Sequence, residues 1–344
     1  MTQDADKKPM NEKEPLLEAR ELRTWFPVRR GILSRTVGYV RAVDGVSLTI
    51  APGETLGLVG ESGCGKTTLA RTVLGLDPKH SGDIRFRGKG LGAGGRAGWR
   101  EWRRQLQVVF QDPFASLNPR MTVADIVSEG LVEHGLIAGS DRMDAARGLL
   151  DEVGLGGEAL HRYPHEFSGG QRQRISVARA LSMKPSLVIC DEAVSALDVS
   201  VQAQVINLLM DLRERHGLAY LFIAHDLSVV RHISHRVAVM YLGRIVELGD
   251  SRSIIERPVH PYTRALISAV PRVGGEKKRR IVLEGDVPSP SNPPQGCHFH
   301  PRCPYARERC RQTDPPLAKP TRADLPPHEV ACIRKDEIDR VPAP

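Results

Sequence analysis

The chain has 344 residues, 40% hydrophobic and 26% charged, and 49 basic against 41 acidic side chains give a formal net charge of +8. That is room for one large domain with an appendage, and it excludes both a small stapled scaffold and wholesale disorder. No apolar run approaches the roughly 18 residues of a membrane-spanning helix, and the start, MTQDADKKPMNEKE, lacks the apolar stretch of a secretory signal. Cytosolic residence is therefore expected, with the six cysteines as thiols or metal ligands. The basic residues are scattered (Arg29, Arg30, Arg103, Arg104, Lys277 to Arg280) without interleaved aromatics, the pattern of a solvated surface and not of a nucleic-acid face.

Residues 1 to 16 are polar and read as a flexible N-terminus. A strand-like segment runs from Leu17 to Val28, and the alternation Val43, Val46, Leu48, Ile50 predicts a half-buried strand ending before the Pro52-Gly53 turn. The short apolar strand Thr55 to Val59 leads directly into Gly60-Glu61-Ser62-Gly63-Cys64-Gly65-Lys66-Thr67, and Thr67 to Leu76 is helix-compatible. This fits the phosphate-binding loop in the context it requires. Glycines let backbone N–H groups turn inward around phosphate oxygens, and the helix N-terminus adds partial positive charge. Lys66 is placed to reach the β- and γ-phosphates, Thr67 to ligate Mg²⁺. Gly82 to Gly98, with seven glycines, predicts a hairpin with a loose tip, followed by a strand at Leu106 to Phe110. From Thr122 to about His161 the period turns helical, with Val123, Ile126, Val127 and Leu131 on one face, so a helical insert is expected.

Ser168-Gly169-Gly170-Gln171 opens a helical run, Arg172 to Met183, that stops before Pro185. A serine and two glycines there make either an anion site or a plain helix cap. The strand Leu187 to Cys190 ends in Asp191-Glu192. Ligands of parallel sheets bind at the carboxyl ends of strands, which places Asp191 to hold Mg²⁺ and Glu192 to polarise an attacking water. A helix at Val201 to His216, a strand at Ala219 to Ala224, a helix around Leu227 to His232 and a strand at Val237 to Tyr241 complete an α/β alternation, the signature of a mostly parallel sheet covered on both faces. Beyond a boundary between about 275 and 285 the composition changes: 13 of the 25 prolines and four of the six cysteines lie in residues 287 to 344, too proline-rich for a helix or sheet domain. Cys297, Cys303, Cys310 and Cys332 are spaced by six, seven and 22 residues. They read as ligands of Zn²⁺ or an iron–sulfur cluster, with His298, His300 and His328 as substitutes, or as unligated thiols.

Together these motifs resemble the nucleotide-binding subunit of an ATP-binding-cassette (ABC) transporter over roughly residues 17 to 275. The resemblance implies a P-loop NTPase with a RecA-like, mostly parallel sheet, an antiparallel β subdomain and a helical subdomain at about 112 to 165. Gly60 to Thr67, continued by Thr68, matches the Walker A loop, Gln111 the Q-loop, Ser168, Gly169, Gly170 and Gln171 the signature, and Asp191 and Glu192 the Walker B end. Asp198 matches the D-loop and His225 the switch histidine; Ala193 stands where the family usually has proline, for which only a modest loss of loop rigidity is expected. In that family two subunits stack head to tail, each ATP lying between one P-loop and the other subunit's signature. This assigns Glu192 and His225 to catalysis and Thr67, Gln111 and Asp191 to Mg²⁺. An aromatic upstream of the loop should stack on adenine, and Tyr39 is the candidate, with Trp25 and Phe26 as rivals.

Phe110-Gln111-Asp112-Pro113, Arg162 to Glu166 and His260 to Leu266 look like the oligopeptide and dipeptide importer ATPases, more the F-type than the D-type of each pair. Gly296-Cys297 and Arg302-Cys303-Pro304 are similar to their Cys/Pro-rich C-terminal extension, here 285 to 334 with a tail at 335 to 344, in which the cysteines are associated with a [4Fe–4S] cluster. The resemblance implies a heterodimer with a D-type ATPase at the cytoplasmic face of the inner membrane, two transmembrane permease subunits, and an extracytoplasmic peptide-binding protein. Import of nickel or an oligosaccharide is the alternative; an ABC ATPase acting on nucleic acid is opposed by the single cassette and the lack of a long coiled coil.

Overall fold

The computed structural model describes residues 14–31, 34–270 and 281–338. The expected flexible N-terminus falls mostly outside the described residues, as do much of the boundary between 275 and 285 and the last residues of the tail. The chain opens with a long antiparallel pair, β1 (Leu17–Arg30) and β2 (Arg35–Ile50), in which Leu17 faces Ile50. Then follow β3 (Thr55–Val59), α1 (Lys66–Val73), β4 (Ser81–Phe86) and β5 (Lys89–Gly90). Next come α2 (Gly95–Gln105), β6 (Leu106–Val109) and the helical insert α3 (Pro113–Ser116), α4 (Val123–Glu133) and α5 (Arg142–Glu152). The second half holds α6 (Gly169–Ser182), β7 (Leu187–Asp191), α7 (Val199–His216), β8 (Ala219–Ile223), α8 (Leu227–Ile233) and β9 (Arg236–Tyr241). It closes with β10 (Arg244–Asp250), α9 (Ser251–Glu256), α10 (Pro261–Ser268), α11 (Glu308–Gln312) and β11 (Glu329–Val330).

The strands form two sheets, an antiparallel one in the order β2-β1-β4-β5 and a seven-stranded one in the order β11-β10-β9-β3-β8-β7-β6. In the larger sheet β9, β3, β8, β7 and β6 are parallel, whereas β10 and β11 run antiparallel at one edge. The unbroken apolar runs predicted this: β3, β7 and β8 are buried along their whole length, so both faces need apolar side chains. Strand alternation divides them. Leu187, Ile189, Leu221 and Ile223 pack with α1 and the antiparallel sheet, while Val188, Cys190, Tyr220 and Phe222 pack with α6, α7 and the helical insert. The loops that follow β3, β7 and β8 consequently emerge at one end of the sheet.

Two expectations need correction. The glycine-rich stretch forms a hairpin only through β4 and β5; from Gly95 onward it is helical. Glycine is a poor helix former, but Trp102 overrides it by burying its ring 5.9 Å from that of Phe86 and donating Nε1–H to the Val73 carbonyl at 3.1 Å. The proline-rich tail also contributes regular structure: α11, and β11, whose Val330 pairs with Glu247 to extend the central sheet.

Candidate functional site

The phosphate-binding loop sits where the sequence placed it, between β3 and α1. Gly65 (φ +108°) caps α1 without any side-chain acceptor, so the helix's first N–H groups are left to a ligand. A Cβ at Gly65 would lie 2.0 Å from the Ala42 carbonyl oxygen, and one at Gly60 2.2 Å from that of Met240. These glycines are thus required by close backbone approach as well as by turn geometry. Lys66 is buried, its Nζ donating to the carbonyls of Gly60 (2.8 Å) and Glu61 (3.0 Å). A phosphate oxygen would compete with those carbonyls for the ammonium.

Thr67 donates its hydroxyl to Asp191 Oδ1 at 3.2 Å, bringing the loop and the acidic end of β7 together. Burial raises the Asp191 pKa above the ordinary carboxylate value, while the Thr67 hydrogen bond opposes the shift. Next to it Glu192 adopts a left-handed backbone (φ +49°), its N–H donating to the Ile223 carbonyl, and its Oε2 lies 3.7 Å from His225 Nδ1. That conformation is uncommon for a residue with a side chain and is held here by the sheet. Ser62, Gly63, Gly65 to Thr68, Gln111 and Glu192 line one cavity of about 320 Å³.

Ser168 caps α6 reciprocally: its hydroxyl accepts from the Gln171 N–H, and Gln171 Oε1 accepts from the Ser168 N–H. The cap reading of that motif is therefore realised. None of Ser168 to Gln171 lines the phosphate-loop cavity. A Cβ at Gly170 would meet Val201 at 2.3 Å, which locks the start of α6 against that of α7, where Asp198 is the capping residue. Tyr39 does not line the cavity either; its neighbours Val40 and Arg41 do. Its ring packs beside Trp25 (6.0 Å) and His80 (5.8 Å), and Trp25 stacks on His80 at 4.4 Å.

Sequence reasoning missed the residues behind the loop. Tyr262 accepts the Glu61 N–H at 2.8 Å, Arg302 grips the Glu61 carboxylate, and Pro290 reaches the cavity wall while accepting from the Arg41 N–H at 2.9 Å. The His260 to Leu266 and Arg302-Cys303-Pro304 runs were visible signals, but nothing in them pointed to contacts with Glu61, 201 and 241 residues away.

The four tail cysteines, with His300, line one small apolar cavity of about 20 Å³, room for roughly one water-sized body. Burial raises the Cys297 pKa and pushes Cys303 and Cys332 up to about 12. His298 turns to the Leu242 carbonyl and His328 to Glu247. Among the described residues no group of three or more His, Cys, Asp or Glu is placed to hold a metal ion. The quartet converges as expected on one cavity, while the Zn²⁺ or [4Fe–4S] centre expected from the sequence is not shown by the described residues.

A strand-to-helix phosphate loop that shares its cavity with a glutamine and a glutamate from two other strand ends defines a P-loop nucleotide-binding cassette. Residues 43–195 match the family model "ABC transporter", and residues 246–310 match "Oligopeptide/dipeptide transporter, C-terminal region". The chain is 51% identical to the oligopeptide transport ATP-binding protein AppF of Bacillus subtilis, over 93% of its length and 97% of that relative's. It is 48% identical to the oligopeptide transport ATP-binding protein OppF of Salmonella typhimurium, over 96% and 99%. Among solved structures it is similar to CbiO1 of Clostridium perfringens, part of the ABC transporter complex CbiONQ (26% identity, TM-score 0.61, 71% of this chain and 92% of that one). It belongs to the ATP-binding proteins of ABC transporters, in the group that carries the oligopeptide/dipeptide C-terminal region. No helix among the described residues is long and apolar enough to cross a membrane.

Proposed function

We propose that the chain is the ATP-hydrolysing subunit of an ABC importer of oligopeptides or dipeptides. The observation that carries this reading is the convergence of the phosphate loop, Gln111 and Glu192 on one cavity, with Thr67 bonded to Asp191 behind them. Gly60 to Thr68 would wrap the phosphates, with Lys66 neutralising the β- and γ-oxygens. Thr67, Gln111 and Asp191 would hold Mg²⁺, which when bound offsets charge on those oxygens. Glu192 takes the proton of the attacking water as general base, and His225, at 3.7 Å, orients that carboxylate.

Ser168 to Gln171 lie off this cavity, so their ATP is one held by a second, D-type subunit stacked head to tail, with Asp198 at the junction. Because such an ATP contacts both subunits only when they close, it favours the closed state. The cassette at 17 to 275 and the extension at 285 to 334 act as one subunit in this assembly. A groove of about 720 Å³ between β6, α4 and α6, bordered by Phe110, Arg103, Glu129 and Arg179, would seat a helix from one of two permease subunits at the cytoplasmic face of the inner membrane. Peptide would reach the permeases from an extracytoplasmic binding protein, and no nucleic acid takes part. The matched C-terminal region and the oligopeptide relatives support peptide over nickel or oligosaccharide.

The test is Glu192→Gln in the chain purified with its D-type partner. Turnover should fall by about 10² to 10⁴ while ATP stays bound, because the amide keeps the shape but takes no proton. Hydrolysis at the wild-type rate would overturn the assignment of the base.

A further inference from the structure

We propose that Arg302, in the C-terminal extension, is a positioning residue of the ATP site: its guanidinium grips the Glu61 carboxylate and thereby holds the phosphate loop in its binding shape. The inference rests on the ATP-site reading above and extends it to a segment outside the cassette. Arg302 Nη1 donates to Glu61 Oε2 at 2.8 Å and Nη2 to Oε1 at 3.2 Å, a bidentate pair. The Arg302 side chain is only 8% exposed and its guanidinium lies 5.9 Å from the Tyr241 ring centre, so the pair is screened from water on one side.

Every polar handle of Glu61 is engaged. Its N–H donates to the Tyr262 hydroxyl, its carbonyl accepts from Lys66 Nζ, and its carboxylate is taken by Arg302. When a phosphate draws the Lys66 ammonium away, the carbonyl keeps only the Cys64 N–H at 3.3 Å, within the loop itself, and the holds from outside the loop are Tyr262 and Arg302. Tyr262 belongs to α10, and its ring packs against Tyr241 and Phe299 at 4.7 and 5.5 Å. Arg302 lies three residues beyond Phe299, so the same aromatic layer that seats Tyr262 also fixes the start of the Arg302 segment. The extension therefore acts as a brace behind the loop, and Pro290, earlier in the same extension, supplies part of the cavity wall.

A brace acts on binding and not on the chemical step. In the full-length chain, titrated with Mg-ATP, Arg302→Gln should weaken ATP binding by roughly tenfold and raise KM to match, while kcat at saturating ATP in the assembled transporter stays within about twofold of wild type. Glu61→Gln should do the same, and in its background Arg302→Gln should add nothing, since the two act as a unit. Arg311→Gln, also in the extension but paired only at the surface with Glu308, should leave affinity unchanged. If Arg302→Gln fails to fold, Glu61→Gln alone carries the test. Unchanged affinity in either variant, or additive losses in the double variant, overturns the brace; a wild-type chain that does not bind ATP at all overturns the ATP-site reading beneath it.

Discussion

His260 gives the chain a calculable acid sensitivity. The residue is buried, and it caps α10 by accepting the Tyr262 N–H on Nδ1 at 3.2 Å. Its own N–H donates to Glu247 at 3.1 Å. An Nδ1 that accepts must stay unprotonated, and burial, opposed only in part by Glu247, pushes the pKa down to about 4. The unfolded chain titrates near 6.5 instead. Between those values the unfolded state binds a proton that the native state refuses, so stability rises with pH through the window and is lost as pH falls. Integrated over one site, the loss is about 2 kcal/mol at pH 5 relative to pH 8, and about 3 kcal/mol below pH 4. His235 and His298 are also shifted down by burial and act with the same sign, so the part owed to His260 is read by difference. Urea unfolding of wild type and His260→Gln at pH 5, 6, 7 and 8, at fixed salt, measures it. The variant should be less stable at pH 8 yet lose about 2 kcal/mol less on going to pH 5. Parallel pH profiles for the two proteins would refute the reasoning.

The carboxylate beside His260 should matter more than any surface pair. Glu247 is fully buried and accepts from the Val259 and His260 N–H groups and, at 2.6 Å, from His328 Nε2. Glu247→Ala leaves three buried polar groups unpartnered and should cost about 3–5 kcal/mol in urea unfolding. A cost under 1 kcal/mol, the scale of an exposed ion pair, would contradict that account. In the phosphate loop, Gly65→Ala should abolish most nucleotide affinity, because its Cβ has no space against the Ala42 carbonyl. Gly63→Ala, with no heavy atom within 4 Å, should suffer only left-handed strain of about 1–2 kcal/mol. Equal affinities for the two alanine variants, measured with a fluorescent ATP analogue, would count against the loop geometry.

The local features were legible because they are local. Leu187 to Cys190 and Ala219 to Ala224 announce doubly covered strands by having no polar position to expose, and the glycine spacing from 60 to 65 announces a loop that wraps an anion. The position of Tyr39 was not legible. It depends on the register of β1 against β2, which slips at several points between Ala19 and Arg29, and each slip changes which side chain faces the cavity. Helix α2 was hidden because Trp102 stabilises it through a contact with Val73, 29 residues back in the chain. The cysteine quartet shows the converse limit: spacing brought four thiols to one place, but the space left between them is a matter of packing that composition does not encode.

The same distinction explains why the loop is shaped before any phosphate meets it. Lys66, the cation of the loop itself, is already desolvated and satisfied by two carbonyls, so a phosphate oxyanion need only exchange neutral acceptors for a charged one. That exchange favours binding only if Gly60 and Glu61 do not collapse into the space the ammonium leaves. Gly60 cannot move toward Met240, whose carbonyl already stands against it, and Glu61 is tethered to Tyr262 and Arg302. All three of those partners lie more than 170 residues further along the chain, on β9, α10 and the extension. The phosphate loop is thus a local motif whose stiffness is supplied by the far end of the sequence, and variants at Tyr262 or Arg302 should register in ATP affinity before they register in catalysis.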